Sequence, residues 1–88
     1  MSTSDLIEKT GFSFLDVVSP SRKQQIVTVR HACMFHLRRK GMTLQCIGDI
    51  FMRNHSTVSN AVEKVYGYVD VKDKDTLFYL KLFKESDS

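Results

Sequence analysis

The stretch Thr43-Leu44-Gln45-Cys46-Ile47-Gly48-Asp49-Ile50-Phe51-Met52-Arg53-Asn54-His55-Ser56-Thr57-Val58-Ser59-Asn60-Ala61-Val62-Glu63-Lys64-Val65 decides the fold. Thr43 is a good helix N-cap, and Leu44, Ile47, Ile50 and Phe51 fall on one side of the helix it would start. Met52-Arg53-Asn54 interrupts that pattern, and Asn54 is placed to cap a second helix. There Val58, Val62, Val65 and Val69 recur at spacings of 4, 3 and 4, which argues helix over strand despite the valines. Two short helices joined by about three residues, with Gly48 letting them approach closely, form a helix-turn-helix. The second helix has a polar side made by His55, Ser56, Ser59, Asn60, Glu63 and Lys64. Small hydrogen-bonding groups at a helix N-terminus are what a DNA major groove accepts.

Outward from this unit the same periodicity continues. Ile26, Val29, Cys33 and Leu37 make a stripe at spacings of 3, 4 and 4 along a helix predicted from Arg22 to Lys40, which Gly41 ends. Ser19-Pro20-Ser21 is the turn before it, and Pro20-Ser21-Arg22-Lys23 reads as a flexible lead-in. Two short helices precede it, Ser4 to Thr10 capped by Thr3 or Ser4, and Phe14 to Val18 capped by Ser13. A closing helix runs from Asp73 to Lys84, with Leu77, Phe78, Leu80, Leu82 and Phe83 as its apolar face. One proline and four glycines are too little punctuation for an all-β fold. The expectation is an all-α single domain over residues 1–88, a small helical bundle containing a helix-turn-helix.

Composition bounds the function classes. Hydrophobic residues at 42% and charged residues at 26% describe an ordinary globular chain with no apolar run of membrane-spanning length. No signal peptide is visible, so the expected location is the cytoplasm, with nucleoid association expected only through the DNA binding suggested by the helix-turn-helix. Cys33 and Cys46 read as small buried residues kept reduced, and Met34, Met42, Met52, Phe51 and Phe78 as core or core edge. The net charge of +3 is unevenly distributed. From Ser21 to Val62 there are seven bases (Arg22, Lys23, Arg30, Arg38, Arg39, Lys40, Arg53) against one acid, Asp49, a net +6. The rest holds six bases against nine acids, a net −3. A basic middle between acidic ends suits a polyanion.

The string from Ile47 to Val65 closely resembles the signature of the C-terminal DNA-binding domain of DnaA replication initiators, a helix-turn-helix of the Trp-repressor type. In that family Ile-Gly and an aromatic residue are followed by Arg-Asp-His-Thr-Thr-Val, here Arg53-Asn54-His55-Ser56-Thr57-Val58. Asp16-Val17-Val18-Ser19 is similar to the family's Asp-Leu-Leu-Ser, and Arg30-His31-Ala32-Cys33-Met34 to its Arg-Gln-x-Ala-Met. The resemblance covers about residues 12–66. It implies sequence-specific binding of double-stranded DNA, in replication initiation or transcription control, with no enzymatic activity. It places Arg22 in the minor groove with Lys23 beside it, and Arg53, Asn54, His55, Ser56 and Thr57 at the major groove. Arg30 is implied as a phosphate contact at the start of the long helix, with Lys64 a further one and Asn60 on the reading side. Asn54 stands where the family has Asp and Ser56 where it has Thr, and the turn is one residue shorter, with Met52 in place of glycine. No Gly-x-x-x-x-Gly-Lys-Ser/Thr loop occurs, so the expectation is a DNA-reading domain without the family's ATPase. No cofactor, metal or nucleotide is expected.

Rival readings use the same residues. Cys33, His36, Cys46 and His55 fit the spacing of no compact zinc finger. His55 and Ser56 are adjacent on a helix and so do not face each other, and no third acid orients them as a catalytic pair. The alternative function is a helical protein–protein interaction module. Its basic face would meet an acidic replication or transcription partner, and the last helix, with Tyr79, Lys81 and Lys84, would serve a homodimer.

Overall fold

Local capping sets most of the element boundaries. The computed structural model describes residues 1–87 as six helices: α1 (Thr3–Glu8), α2 (Phe14–Val18), α3 (Gln24–Arg39), α4 (Leu44–Phe51), α5 (His55–Asp70) and α6 (Lys74–Ser86). Ser13 Oγ accepts from the Asp16 amide, Thr43 Oγ1 from Cys46, Asn54 Oδ1 from Ser56 and Asp73 from Thr76, each meeting an amide that a helix start leaves free. Helix α1 begins a residue earlier than expected, because Ser2 takes the cap and puts Asp5 in the positively polarised first turn. Helix α3 starts after Lys23 without a side-chain cap.

The long helix α3 is the centre of the molecule, packed by all five others. Its predicted stripe, Ile26, Val29, Cys33 and Leu37, is buried, and so are Thr28, Arg30, Ala32, Met34 and Phe35. Burial on so many sides is why its apolar pattern is broader than one stripe. Ile47, Phe51, Val58 and Val65 bring the helix-turn-helix into the same core, with Leu6, Ile7 and Val17 from the N-terminal pair. Burial also pushes the Cys33 thiol up to about 12, keeping it an inert apolar filler. No helix among the described residues is long and apolar enough to cross a membrane.

Four expectations need correction. Helix α6 turns Thr76, Tyr79, Leu80 and Phe83 inward, not the full run of apolar residues. Thr76 is fixed inward by its bonds to the Asp73 carboxylate, and that rotation leaves Leu77 and Phe78 exposed and half-buries Tyr79. Cys46 is exposed, because the buried side of α4 runs through Ile47, Gly48 and Phe51. Met52 is 83% exposed, since it occupies the left-handed turn position (φ 56°), which aims its side chain at solvent. Phe78 meets the ring of Tyr79 at the surface and is not a core residue.

Asp87 ties the ends of the chain to α3. Its carboxylate lies 3.0 Å from His36 Nε2, pairs with the Lys40 ammonium, and sits 3.8 Å from the N-terminal ammonium. Lys40 and His36 hold that carboxyl down at about 2.

Candidate nucleic-acid interface

Helices α4 and α5 meet through three residues, Met52 to Asn54, and the closeness of that turn depends on Gly48. The Arg53 amide donates to the Gly48 carbonyl at 2.8 Å, and a Cβ on Gly48 would overlap the Arg53 carbonyl. The turn delivers Asn54, His55, Ser56 and Thr57 as an exposed first turn of α5. Asn54 commits its Oδ1 to the Ser56 amide at 2.7 Å, which leaves its NH2 hydrogens outside the cap. The His55 side chain is exposed and has no hydrogen-bond partner among the described residues. Asn60 and Lys64 are exposed on the side of Ser56, one and two turns further along.

Two arginines attach a second loop to this turn. Arg30 donates from Nε to the Val17 carbonyl at 2.7 Å, and from Nη2 to the carbonyls of Ser19 and Ser21 at 2.9 Å each. Arg53 donates from Nη1 to Phe51 (2.7 Å) and Val18 (3.0 Å) and from Nη2 to Ser19 (2.8 Å). Both guanidinium groups thus bind the C-terminal carbonyls of α2, the negative end of its dipole, and share the Ser19 oxygen. The α2–α3 connection they pin carries Arg22 and Lys23, both exposed. It is also braced from within, Ser21 N donating to Ser19 Oγ and Lys23 N to Ser21 Oγ, each at 3.3 Å. The loop is therefore held by hydrogen bonds and is not the flexible lead-in read from Pro20-Ser21-Arg22-Lys23.

Arg30 departs furthest from expectation. It lies two turns inside α3, not at its start, and only 6% of its surface is exposed. With its fork on three carbonyls, it is a clamp facing inward; a phosphate contact needs the opposite orientation. Arg53 is half-buried and shares the task, so of the ten residues picked from sequence the structure keeps eight at the surface.

The profile of the bacterial DnaA protein helix-turn-helix matches residues 6–65, well over half the chain. The chain belongs to that family. It is 47% identical over 58 residues to the chromosomal replication initiator protein DnaA of Mycoplasma pneumoniae, covering 65% of this chain and 13% of that protein. It is 48% identical over 50 residues to the same-named protein of Mycoplasma genitalium, covering 56% and 11%. To that of Pseudothermotoga lettingae it is 32% identical over 63 residues, covering 70% and 14%. The chain thus spans about one eighth of the length of these relatives. No solved structure matches it.

The electrostatics of this DnaA-type helix-turn-helix are one-sided. Among the described residues no carboxylate lies within ion-pair distance of Arg22, Lys23, Arg30, Arg53 or Lys64. Burial lowers the pKa of both clamp arginines, and Arg53 adds repulsion at Arg30. The residue that sequence reasoning passed over is His31, next to Arg30. Its Nδ1 is buried without a partner, and burial, then Lys64, Arg30 and Arg53, lower its pKa to about 4. Its only sequence signal is its place beside Arg30 in the string that resembles the family's Arg-Gln-x-Ala-Met. The four residues of the zinc reading do not assemble: Cys33 is buried, Cys46 and His55 are exposed, and His36 is held by Asp87.

A neutral His31 makes the domain sensitive to acid. In the unfolded chain the imidazole takes its proton near pH 6.5, whereas in the folded one it resists until about 4. Protons therefore favour the unfolded state across that window, and stability should fall as pH drops from about 6.5 to 4. The expected loss is about 1–2 kcal/mol, less than the full shift carries because water screens the open side of the ring. Chemical denaturation of the wild type and His31→Leu at several pH values checks this. The variant should lose most of the slope between those limits, and an equal slope in both would place the titration elsewhere.

Proposed function

We propose that this chain binds double-stranded DNA sequence-specifically, as the DNA-reading part of an initiator-like or transcription-controlling protein. The observation that carries the reading is the exposed first turn of α5, Asn54 to Thr57, joined through Arg53 to the loop that exposes Arg22 and Lys23. In this reading the start of α5 enters the major groove and His55 meets a base edge. Ser56, Thr57 and Asn60 add contacts beside it. Arg22 enters the adjacent minor groove, where a narrow A·T-rich segment attracts arginine, and Lys23 and Lys64 meet phosphates. Arg30 and Arg53 act through the loop they hold. The relatives' name links the domain to replication initiation, and repression or activation from the same contacts is the other role it would fit.

The test is a paired measurement. His55→Ala should weaken the preferred duplex by about 1–3 kcal/mol, or roughly five- to 150-fold, and a scrambled duplex far less. Its thermal unfolding should be nearly unchanged, because His55 is exposed and outside the core cluster. Asn54→Asp should keep the cap, since Asp accepts the same amide bond. Its acceptor-only carboxylate should move base preference towards a cytosine amino group. Equal weakening of both duplexes by His55→Ala would make it a backbone contact and not a reader.

A further inference from the structure

Away from the helix-turn-helix, α3 and α6 enclose an open groove of about 460 Å³ that the DNA reading does not use. Its floor is apolar, made by Leu77, Leu80 and the edge of Phe35. Its rim carries four bases, Arg39 and Lys40 from α3 and Lys81 and Lys84 from α6. Lys40 is paired with Asp87 and Lys81 lies 3.9 Å from Glu85. Among the described residues no carboxylate lies within ion-pair distance of Arg39 or Lys84. The groove thus has an apolar floor and a rim of net +2, with its two unpaired cations on opposite walls. Leu77 is 38% exposed on the floor's border, and Phe78 beside it is 63% exposed.

We infer that this groove is a docking site for an acidic amphipathic helical segment of another protein. An apolar face would cover Leu77 and Leu80, and carboxylates on its flanks would pair with Arg39 and Lys84. A nucleic acid fits less well. The aliphatic floor gives a phosphate nothing to bond, and Phe35 is only 4% exposed with the Arg39 guanidinium over its ring, so no base can stack there. A second copy of the chain fits less well too, since the same basic rim would meet itself across a twofold axis. Arg39 lies nine residues from Arg30, about 14 Å along α3, so the groove sits apart from the Arg30 clamp that holds the DNA-reading loop.

The experiment is an NMR titration of the full chain with three synthetic probes: a Leu/Glu amphipathic helical peptide, a Leu/Lys peptide of the same pattern, and a DNA duplex. The Leu/Glu peptide should shift the amide signals of Phe35, Arg39, Leu77 and Leu80, while the duplex shifts those of α5 and the α2–α3 loop. Arg39→Glu and Lys84→Glu, each at an exposed position, should weaken peptide binding at least tenfold and leave duplex affinity unchanged; Arg39→Glu also gives up its place over the Phe35 ring, so Lys84→Glu is the variant whose melting temperature should stay at the wild-type value. Equal binding of the Leu/Lys peptide, or Leu/Glu shifts scattered outside the groove, overturns the proposal. So do a loss of duplex affinity in either variant, which would make the groove part of the DNA surface, and self-association of the free chain through these residues. Because the duplex is titrated separately, failure of the peptide leaves the DNA reading standing.

Discussion

Arg30→Met should lower the stability of the domain by about 3 kcal/mol, and its melting temperature by roughly 15 °C, whether or not DNA is present. The side chain makes three charge-assisted hydrogen bonds to the carbonyls of Val17, Ser19 and Ser21 from a site that is 6% exposed. Methionine keeps the aliphatic stem and the volume but leaves those carbonyls without their shared donor. If Arg30 instead met DNA phosphate, as its place in the family resemblance implies, the variant would melt like the wild type. The salt dependence of its duplex affinity would then fall by about one phosphate. Thermal melting separates the two outcomes, and a melting temperature within a degree or two of wild type would put Arg30 on the DNA. Removing the fork also frees the loop that carries Arg22, so duplex binding should weaken in step with stability.

Gly48→Ala should be comparably damaging, at about 2–4 kcal/mol, even though alanine is the better helix former by about 1 kcal/mol. The added methyl would overlap the Arg53 carbonyl, which is backbone and cannot rotate away. The whole turn would have to shift, stretching the 2.8 Å bond from the Arg53 amide to the Gly48 carbonyl and moving the Asn54 cap that orients α5. Gly67→Ala is the control: it lies within α5, and a Cβ there meets nothing within 4 Å. That substitution should be neutral or stabilising by up to about 1 kcal/mol. Denaturant midpoints for both variants give the comparison. A mild Gly48→Ala would mean the turn has room that its geometry denies.

These two residues also mark where sequence reading succeeds and where it stops. The need for a small residue at position 48 is legible because it belongs to a local pattern, two helices three residues apart. The caps at Ser13, Thr43 and Asn54 are legible for the same reason, each depending on an amide two or three residues away. The valine stripe of α5 survives as a core face because its period is set by the helix itself. Arg30 was unreadable as a clamp. Its partners lie nine to 13 residues upstream, and a basic residue in a basic segment looks the same whether it faces solvent or carbonyls. The orientation of α6 was hidden likewise: with five apolar residues among seven, only the fixing of Thr76 by Asp73 decides which of them turn inward.

The proposed DNA-reading surface combines the start of α5 with the loop that carries Arg22. Selection of bound duplexes from a random pool, followed by salt titration of the selected and a scrambled duplex, tests it most directly. The expected result is one preferred sequence bound at least ~10³-fold more tightly than the scrambled one. With about five phosphates neutralised, log affinity should fall against log salt with a slope of about −4 to −5. Equal affinity for both duplexes, or tight binding that ignores salt, would contradict it.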